Sequence, residues 1–280
     1  GSLHMTVLEI KQYSRSFLDE FPFFSWRLEG PYDSTYSLAL LNREFSLALK
    51  RINCPICIHS CEGPGDYEPN YNFLKKYPEL DQLHQDSLFN NKSNEQVVSR
   101  NLYPPRVHDI NSKLSLLHAY GWEETEIPLQ WVKDFNTHLD GISVMSDLVK
   151  RVLQLNGVFV PIEVCGLGVD HLSRINSKKI NYKAKKFRFL HISSCFPRKG
   201  IDVLLKAFGQ AFDIKDDVTL IIKTFANPHN DVFEILENLK QSNVNYPDVL
   251  VIDKDLSDNE IKFLYESSNA LVSPSRGEGF

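Results

Sequence analysis

Near its C-terminal end the chain reads Ser273-Pro274-Ser275-Arg276-Gly277-Glu278-Gly279-Phe280, a single carboxylate bracketed by two glycines. Gly277 and Gly279 carry no side chain, so the backbone can approach a ligand closely and present its N–H groups to it. The preceding Ala270–Val272 is short and apolar, as the end of a buried strand is, and Pro274 stops the ladder because it has no N–H to donate. A strand ending in such a turn belongs at the carboxyl edge of an open α/β sheet, where ligands bind. A helix is expected next, its first amides completing an anion site. Because the chain stops at Phe280, the second half is expected to be incomplete.

Other reactive residue types are weaker signals. Cys54-Pro55-Ile56-Cys57, with His59 and Cys61, has a metal-like or redox-like spacing, but it lies in a strand pattern with no second ligand pair downstream. No metal is expected there. His118 and His191 end apolar strands and read as buried, hydrogen-bonded histidines rather than catalysts.

The elements that position these residues alternate strand and helix. Phe21–Leu28 reads as a strand, Gly30–Ser34 as a loop, and Tyr36–Ile52 as a helix with Leu38, Leu41, Phe45 and Leu49 on one face. This is the opening unit of a doubly wound sheet. Strands follow at Pro55–His59, Gln96–Asn101, Leu114–Ala119, Gly141–Met145 and Ile162–Cys165. Ser60–Asp66 reads as an irregular loop, Tyr67–Asn94 as short helices and surface loop, and Asp147–Gln154 as a helix capped by Ser146. His171–Lys186, rich in Lys, Asn and Ser, reads as a linker. The rhythm then restarts, with strands at Phe187–Ile192, Val218–Ile222, Val249–Ile252 and Ala270–Val272. Helices lie between them: one with Ile201, Leu204, Leu205, Phe208 and Phe212 on one face, then Val232–Leu239, and Asp258–Tyr265 behind the capping box Ser257/Glu260. The expected fold is α/β: two Rossmann-like domains, 5–175 and 176–280, facing across a cleft.

Composition narrows the class. With 280 residues and 42% hydrophobic content the chain can bury two cores. Its formal net charge of −5 argues against a nucleic-acid surface. No apolar run is long enough to span a membrane and no signal peptide is evident. Five cysteines without a scaffold spacing fit a reducing, cytoplasmic setting. Gly1–His4 before Met5 reads as a cloning remnant.

Several segments resemble retaining glycosyltransferases of the GT-B fold, the family-4 group that uses nucleotide-diphosphate sugars. Phe196-Pro197-Arg198-Lys199-Gly200-Ile201-Asp202 resembles the family's x-P-x-K-G-x-D loop. Leu256-Ser257-Asp258-Asn259-Glu260 with Leu264-Tyr265 resembles its S-D-x-E-L-x-x-L-Y helix, and Ser273–Phe280 its P-S-x-x-E-G-F-G turn. Ile162–Asp170 resembles V-I-P-N-G-V-D, with Cys165 and Leu167 where Pro and Asn are commoner. The family's second motif Glu, eight positions after the first, would lie beyond Phe280.

The resemblance implies transfer of a sugar from a UDP- or GDP-sugar to a carbohydrate acceptor, as in polysaccharide biosynthesis, with no further cofactor and no metal. Arg198 and Lys199 would neutralise the diphosphate. Glu278 would take the donor sugar's hydroxyls, beside Gly277 and the amides of Gly279 and Phe280. Lys223 at a strand end is a further phosphate or sugar contact, or equally a surface lysine. Asp253 lies where the nucleoside base is held. Gly30 opens a loop that faces the donor phosphates, or is a plain strand-to-helix turn. Glu123, beside Trp122, would orient an acceptor hydroxyl, and Trp122 equally suits a structural wall. The D-x-D at Asp253-Lys254-Asp255 reads as surface acids. The alternatives are a non-catalytic nucleotide-sugar or carbohydrate-binding module and a GT-B-type nucleotide-sugar epimerase. A homodimer through the incomplete domain and a peripheral place at the inner membrane face complete the expectations.

Overall fold

The computed structural model describes residues 25–89 and 97–280. The Gly1–His4 reading, the Phe21–Phe24 part of the first expected strand, Asn90–Asn94 and Gln96 lie outside the described residues. The chain divides into two compact units, one running to Leu167 and taking in Gly279–Phe280, the other Gly168–Glu278. Both are mixed α/β, each built on a parallel sheet.

The first unit runs β1 (Trp26–Glu29), α1 (Ser37–Arg51), β2 (Ile56–His59), β3 (Cys61–Glu62), β4 (Gly65–Asp66), α2 (Tyr71–Leu74), α3 (Pro78–Phe89), β5 (Val97–Arg100), β6 (Leu114–Tyr120), α4 (Leu129–His138), β7 (Gly141–Val144), α5 (Asp147–Leu155) and β8 (Ile162–Val164). Its sheet has the order β2-β1-β5-β6-β7-β8, with every pair parallel. The order reverses between β1 and β5, which is where doubly wound sheets open a crevice beyond the strand ends. Glu29 and Arg100 end those two strands. They form a buried ion pair, Arg100 Nε to Glu29 Oε2 at 2.6 Å, beside Arg27 Nε to Glu29 Oε1 at 2.8 Å. Burial alone would raise the Glu29 pKa, but the two guanidiniums outweigh it and hold it below the usual carboxylate value.

Several expectations are corrected here. Ser60–Asp66 is not irregular throughout, since β3 and β4 pair as a short antiparallel hairpin. The described part of Tyr67–Asn94 holds the expected short helices, α2 and α3, but it is not all surface, since Leu80 and Leu83 of α3 are core residues. The α1 helix forms, but its fully buried face is Ala39, Asn42, Arg43, Ser46 and Leu49, while Leu38, Leu41 and Phe45 are half-buried. Polar residues turn inward because they satisfy loop carbonyls. Asn42 Nδ2 donates to Pro31 O at 2.8 Å and Asn101 O at 3.0 Å, and Arg43 Nη1 donates to Tyr32 O at 3.0 Å and Ser34 O at 2.6 Å. A buried carbonyl left without a donor costs about 1–3 kcal/mol.

The second unit runs α6 (Asp170–Ser173), β9 (Phe187–Ile192), a 3₁₀ turn (Pro197–Lys199), α7 (Ile201–Ala211), β10 (Val218–Lys223), α8 (Val232–Ser242), β11 (Asp248–Ile252), α9 (Asp258–Ser267) and β12 (Ala270–Leu271). Its sheet has the order β11-β10-β9-β12, also all parallel. The central strands read as apolar runs because both faces are covered, with Leu220, Ile221 and Ile222 fully buried. Each such side chain contributes about 1.5–3 kcal/mol. On α7 the spacing of Ile201, Leu204, Leu205 and Phe208 becomes the buried face, and Ser257 and Glu260 form the capping box of α9. The expected linker is not free chain. Ile180, Tyr182 and Ala184 pack on the core beside α9, and Lys262 Nζ donates to Ile175 O at 2.8 Å. Among the described residues no helix is long and apolar enough to cross a membrane.

Four histidines, His59, His84, His118 and His191, have pKa values lowered by burial, His118 to about 3. In the unfolded chain they protonate near 6.5. Between that value and the lowered ones the unfolded state binds more protons, so stability falls as pH falls. The expected result is a urea midpoint that drops between pH 7 and pH 5. His118→Gln, which removes the most displaced of these groups, should shallow that drop; an equal slope in both proteins would contradict the assignment.

Candidate functional site

The order of the second sheet reverses between β9 and β12, so the chain segments leaving these two strands diverge at one point on the carboxyl edge. The first is Ser193–Gly200 and the second Val272–Glu278. His191 joins the strand ends. Its Nδ1 donates to Val272 O at 2.8 Å, which leaves Nε2 to accept from Ser193 Oγ at 2.7 Å. That is the neutral tautomer, in keeping with the lowered pKa. Ser193 Oγ accepts in turn from Cys195 N at 3.0 Å, where the backbone takes the left-handed φ of 56°. His191 is thus the satisfied buried histidine that the sequence suggests. His118 is only half so, because its Nε2 meets Asn42 Oδ1 at 2.8 Å while Nδ1 has no hydrogen-bond partner.

The two loops then lie backbone to backbone. Gly200 has φ 70°, and a side chain there would bring its Cβ 2.1 Å from Pro274 O. Arg276 N donates to Arg198 O at 2.7 Å. The Arg276 guanidinium reaches Pro197 O at 2.5 Å and grips both oxygens of Asp202 at 2.9 and 2.7 Å. Arg276 and Asp202 are the residues that sequence reasoning passed over. Both stood inside the two motifs, and nothing in either motif alone pairs them.

The approach brings Arg198, Lys199, Gly277 and Glu278 together. Lys199 Nζ donates to Glu278 Oε1 at 2.5 Å, Arg198 Nη1 to Glu278 Oε2 at 3.1 Å and to Gly277 O at 3.1 Å, and Ser275 Oγ to Glu278 Oε1 at 2.6 Å. Burial would raise the Glu278 pKa, but the bonds from Lys199 and Ser275 and the charges of Lys199 and Arg198 bring it below the ordinary value. The result is a half-exposed cluster of cations and one carboxylate at a parallel-sheet edge, able to hold an anionic group and to accept hydroxyl protons beside it.

The other expected residues are placed differently. Lys223 ends β10, but it is buried rather than on the surface; its Nζ donates to Thr224 O at 2.6 Å, and burial lowers its pKa against the opposing pull of Asp255 and Asp253. Asp253 is exposed just past β11. Gly279 and Phe280 are grouped with the first unit, as are Gly30 and Glu123. Gly30 follows β1 at that sheet's reversal point, and a Cβ there would fall 2.4 Å from Asn101 O and from Asn42 Nδ2. Glu123 is exposed, and Trp122 Nε1 donates to Glu126 O at 2.9 Å. All five cysteines are free, and no metal-holding group of three or more His, Cys, Asp or Glu occurs among the described residues.

The backbone contact at Gly200 gives a direct test. Gly200→Ala combines a left-handed φ with a carbonyl clash, and it should cost about 1–3 kcal/mol in urea denaturation. Amide exchange should rise in 197–200 and 274–278 more than in the sheet. A variant as stable as the parent would rule out the close approach.

No model of a protein family matches the chain, and no curated protein does. Solved structures do match. A glycosyltransferase from Rickettsia africae ESF-5 aligns with TM-score 0.59 at 18% identity, over 90% of this chain and 73% of that one. The apo form of the lipopolysaccharide outer core galactosyltransferase WaaB aligns with TM-score 0.52 at 11% identity, over 90% of this chain and 74% of that one. At such identities the likeness is one of fold: this chain has the mixed α/β architecture, with parallel sheets, of solved glycosyltransferases.

Proposed function

We propose that this chain is a glycosyltransferase that moves a sugar, with retention, from a nucleotide-diphosphate sugar to a carbohydrate acceptor. The observation that carries this reading is the pair Arg198 and Lys199, held beside Glu278 where the order of the second sheet reverses. The shared fold with solved glycosyltransferases supports it.

In this reading the diphosphate lies on Arg198 and Lys199. As the bond from the anomeric carbon to the phosphate oxygen breaks, negative charge grows on the leaving group, and fixed cations stabilise that change most where water is partly excluded. The acceptor hydroxyl forms the new bond on the same face, and its proton passes to the departing phosphate oxygen. Glu278 accepts hydrogen bonds from the donor sugar. We assign the acceptor to the first unit, where exposed Glu123 supplies a carboxylate beside Trp122. We assign Asp253 to the nucleoside.

Two measurements test this. Calorimetry with UDP and GDP should show that Arg198→Ala weakens binding roughly ten- to hundredfold, as loss of a charge-assisted contact of about 1.5–3 kcal/mol requires. Lys199→Ala should weaken it less, because Lys lacks the planar fork. EDTA should change neither value, since the charge is neutralised by side chains. Release of nucleoside diphosphate only when a glycan acceptor is present would separate a transferase from a binding module. Unchanged affinity in both variants would place the donor elsewhere.

A further inference from the structure

The two cations assigned to the diphosphate already share an anion. Lys199 Nζ and Arg198 Nη1 meet the two oxygens of Glu278 at 2.5 and 3.1 Å, and Ser275 Oγ adds a third donor at 2.6 Å. A carboxylate oxygen and a phosphate oxygen make the same kind of charge-assisted bond, so they compete for these donors. We propose that Glu278 is an internal competitor for the diphosphate cations, and that a diphosphate binds by exchange with this carboxylate. The proposal rests on the diphosphate reading above and adds to it a residue that sets which anions the site prefers.

Three features of the structure support exchange. The loops are clamped without Glu278, through Arg276 N on Arg198 O at 2.7 Å, Arg276 on Asp202, and the Gly200–Pro274 contact. The carboxylate can therefore leave while its surroundings stay in place. The Glu278 and Arg198 side chains are 37% and 38% exposed, so an incoming anion reaches them from solvent. Ser275 sits next to the carboxylate and can keep one hydrogen bond as it turns. Exchange also gives a preference. A sugar-free diphosphate gains the cations but strands Glu278, whereas a sugar-bearing one offers the displaced carboxylate hydroxyl donors. Glu278 thus weakens retention of the product relative to the donor.

Inorganic pyrophosphate is the probe that separates the parts, because it has charge and no sugar. In calorimetry Glu278→Gln should bind it about tenfold more tightly than the parent, the factor expected when one competing charged contact is removed. Glu278→Ala, which also removes the amide oxygen that Gln retains, should bind it at least as tightly. Arg198→Ala and Lys199→Ala should weaken it. Circular dichroism confirms that each variant is folded. Pyrophosphate affinity that is unchanged or lower in both folded Glu278 variants overturns the exchange, while losses at Arg198 and Lys199 leave the diphosphate reading standing. No loss at either cation overturns both.

Discussion

The contact of Gly200 with the carbonyl of Pro274 is the constraint on which the candidate site depends. Parallel strands bring all their carboxyl ends to one edge, but that alone leaves the loops from β9 and β12 as neighbours rather than partners. Close approach of two backbones needs a residue with no Cβ and a left-handed φ, and Gly200 meets both needs. Once the backbones are this near, Arg276 can reach two acceptors across the gap, Pro197 O in the loop and Asp202 in the first turn of α7. The positions of Arg198, Lys199 and Glu278 follow from that clamp, not from their own ion pairs. Half-exposed pairs of this kind contribute little stability.

This division explains which parts of the molecule were legible in the sequence. Apolar runs and helical spacings locate β9, β10, β11 and α7 to within a residue or so, because burial on both faces of a parallel sheet leaves few alternatives. The order in which the strands pair was not legible, because a βα rhythm fixes the elements and leaves their order in the sheet open. Nor was the inward face of α1. Its buried Asn42 and Arg43 answer to carbonyls of Pro31, Asn101, Tyr32 and Ser34, which no periodicity reveals. Residues 175–184 misled for a related reason. Their polar composition suggests a linker, yet Ile180, Tyr182 and Ala184 alternate so as to pack, while Asn181 and Lys183 between them are exposed.

At the site the residue types were legible and their pairing was not. The motifs place Arg198, Lys199 and Glu278 at loop positions, and the resemblance gives the diphosphate to the two cations and the sugar to Glu278. Only the folded geometry shows that they contact one another first. Lys223 makes the same point. A lysine at a strand end reads equally as ligand or surface, and its burial beside the Thr224 carbonyl follows from where β10 ends between β9 and β11.

The two units use ion pairs in physically different ways, and the difference bears on function. Around Glu29 in the first unit, Arg27 and Arg100 are almost fully buried, with side-chain exposures of 3–4%. Breaking such a pair would leave an uncompensated charge away from water, which costs several kcal/mol, so these groups act as fixed framework. Around Glu278 the exposures are several times larger, and either partner can be resolvated as the other leaves. In that cluster Arg198, Lys199 and Arg276 face Glu278 and Asp202, so three cations meet two carboxylates. A diphosphate brings more negative charge than the single carboxylate it would displace, so the cluster favours the exchange electrostatically. Charge that can be traded at low desolvation cost therefore sits where the second sheet reverses, and the charge that cannot be traded is locked at the strand ends where the first sheet reverses.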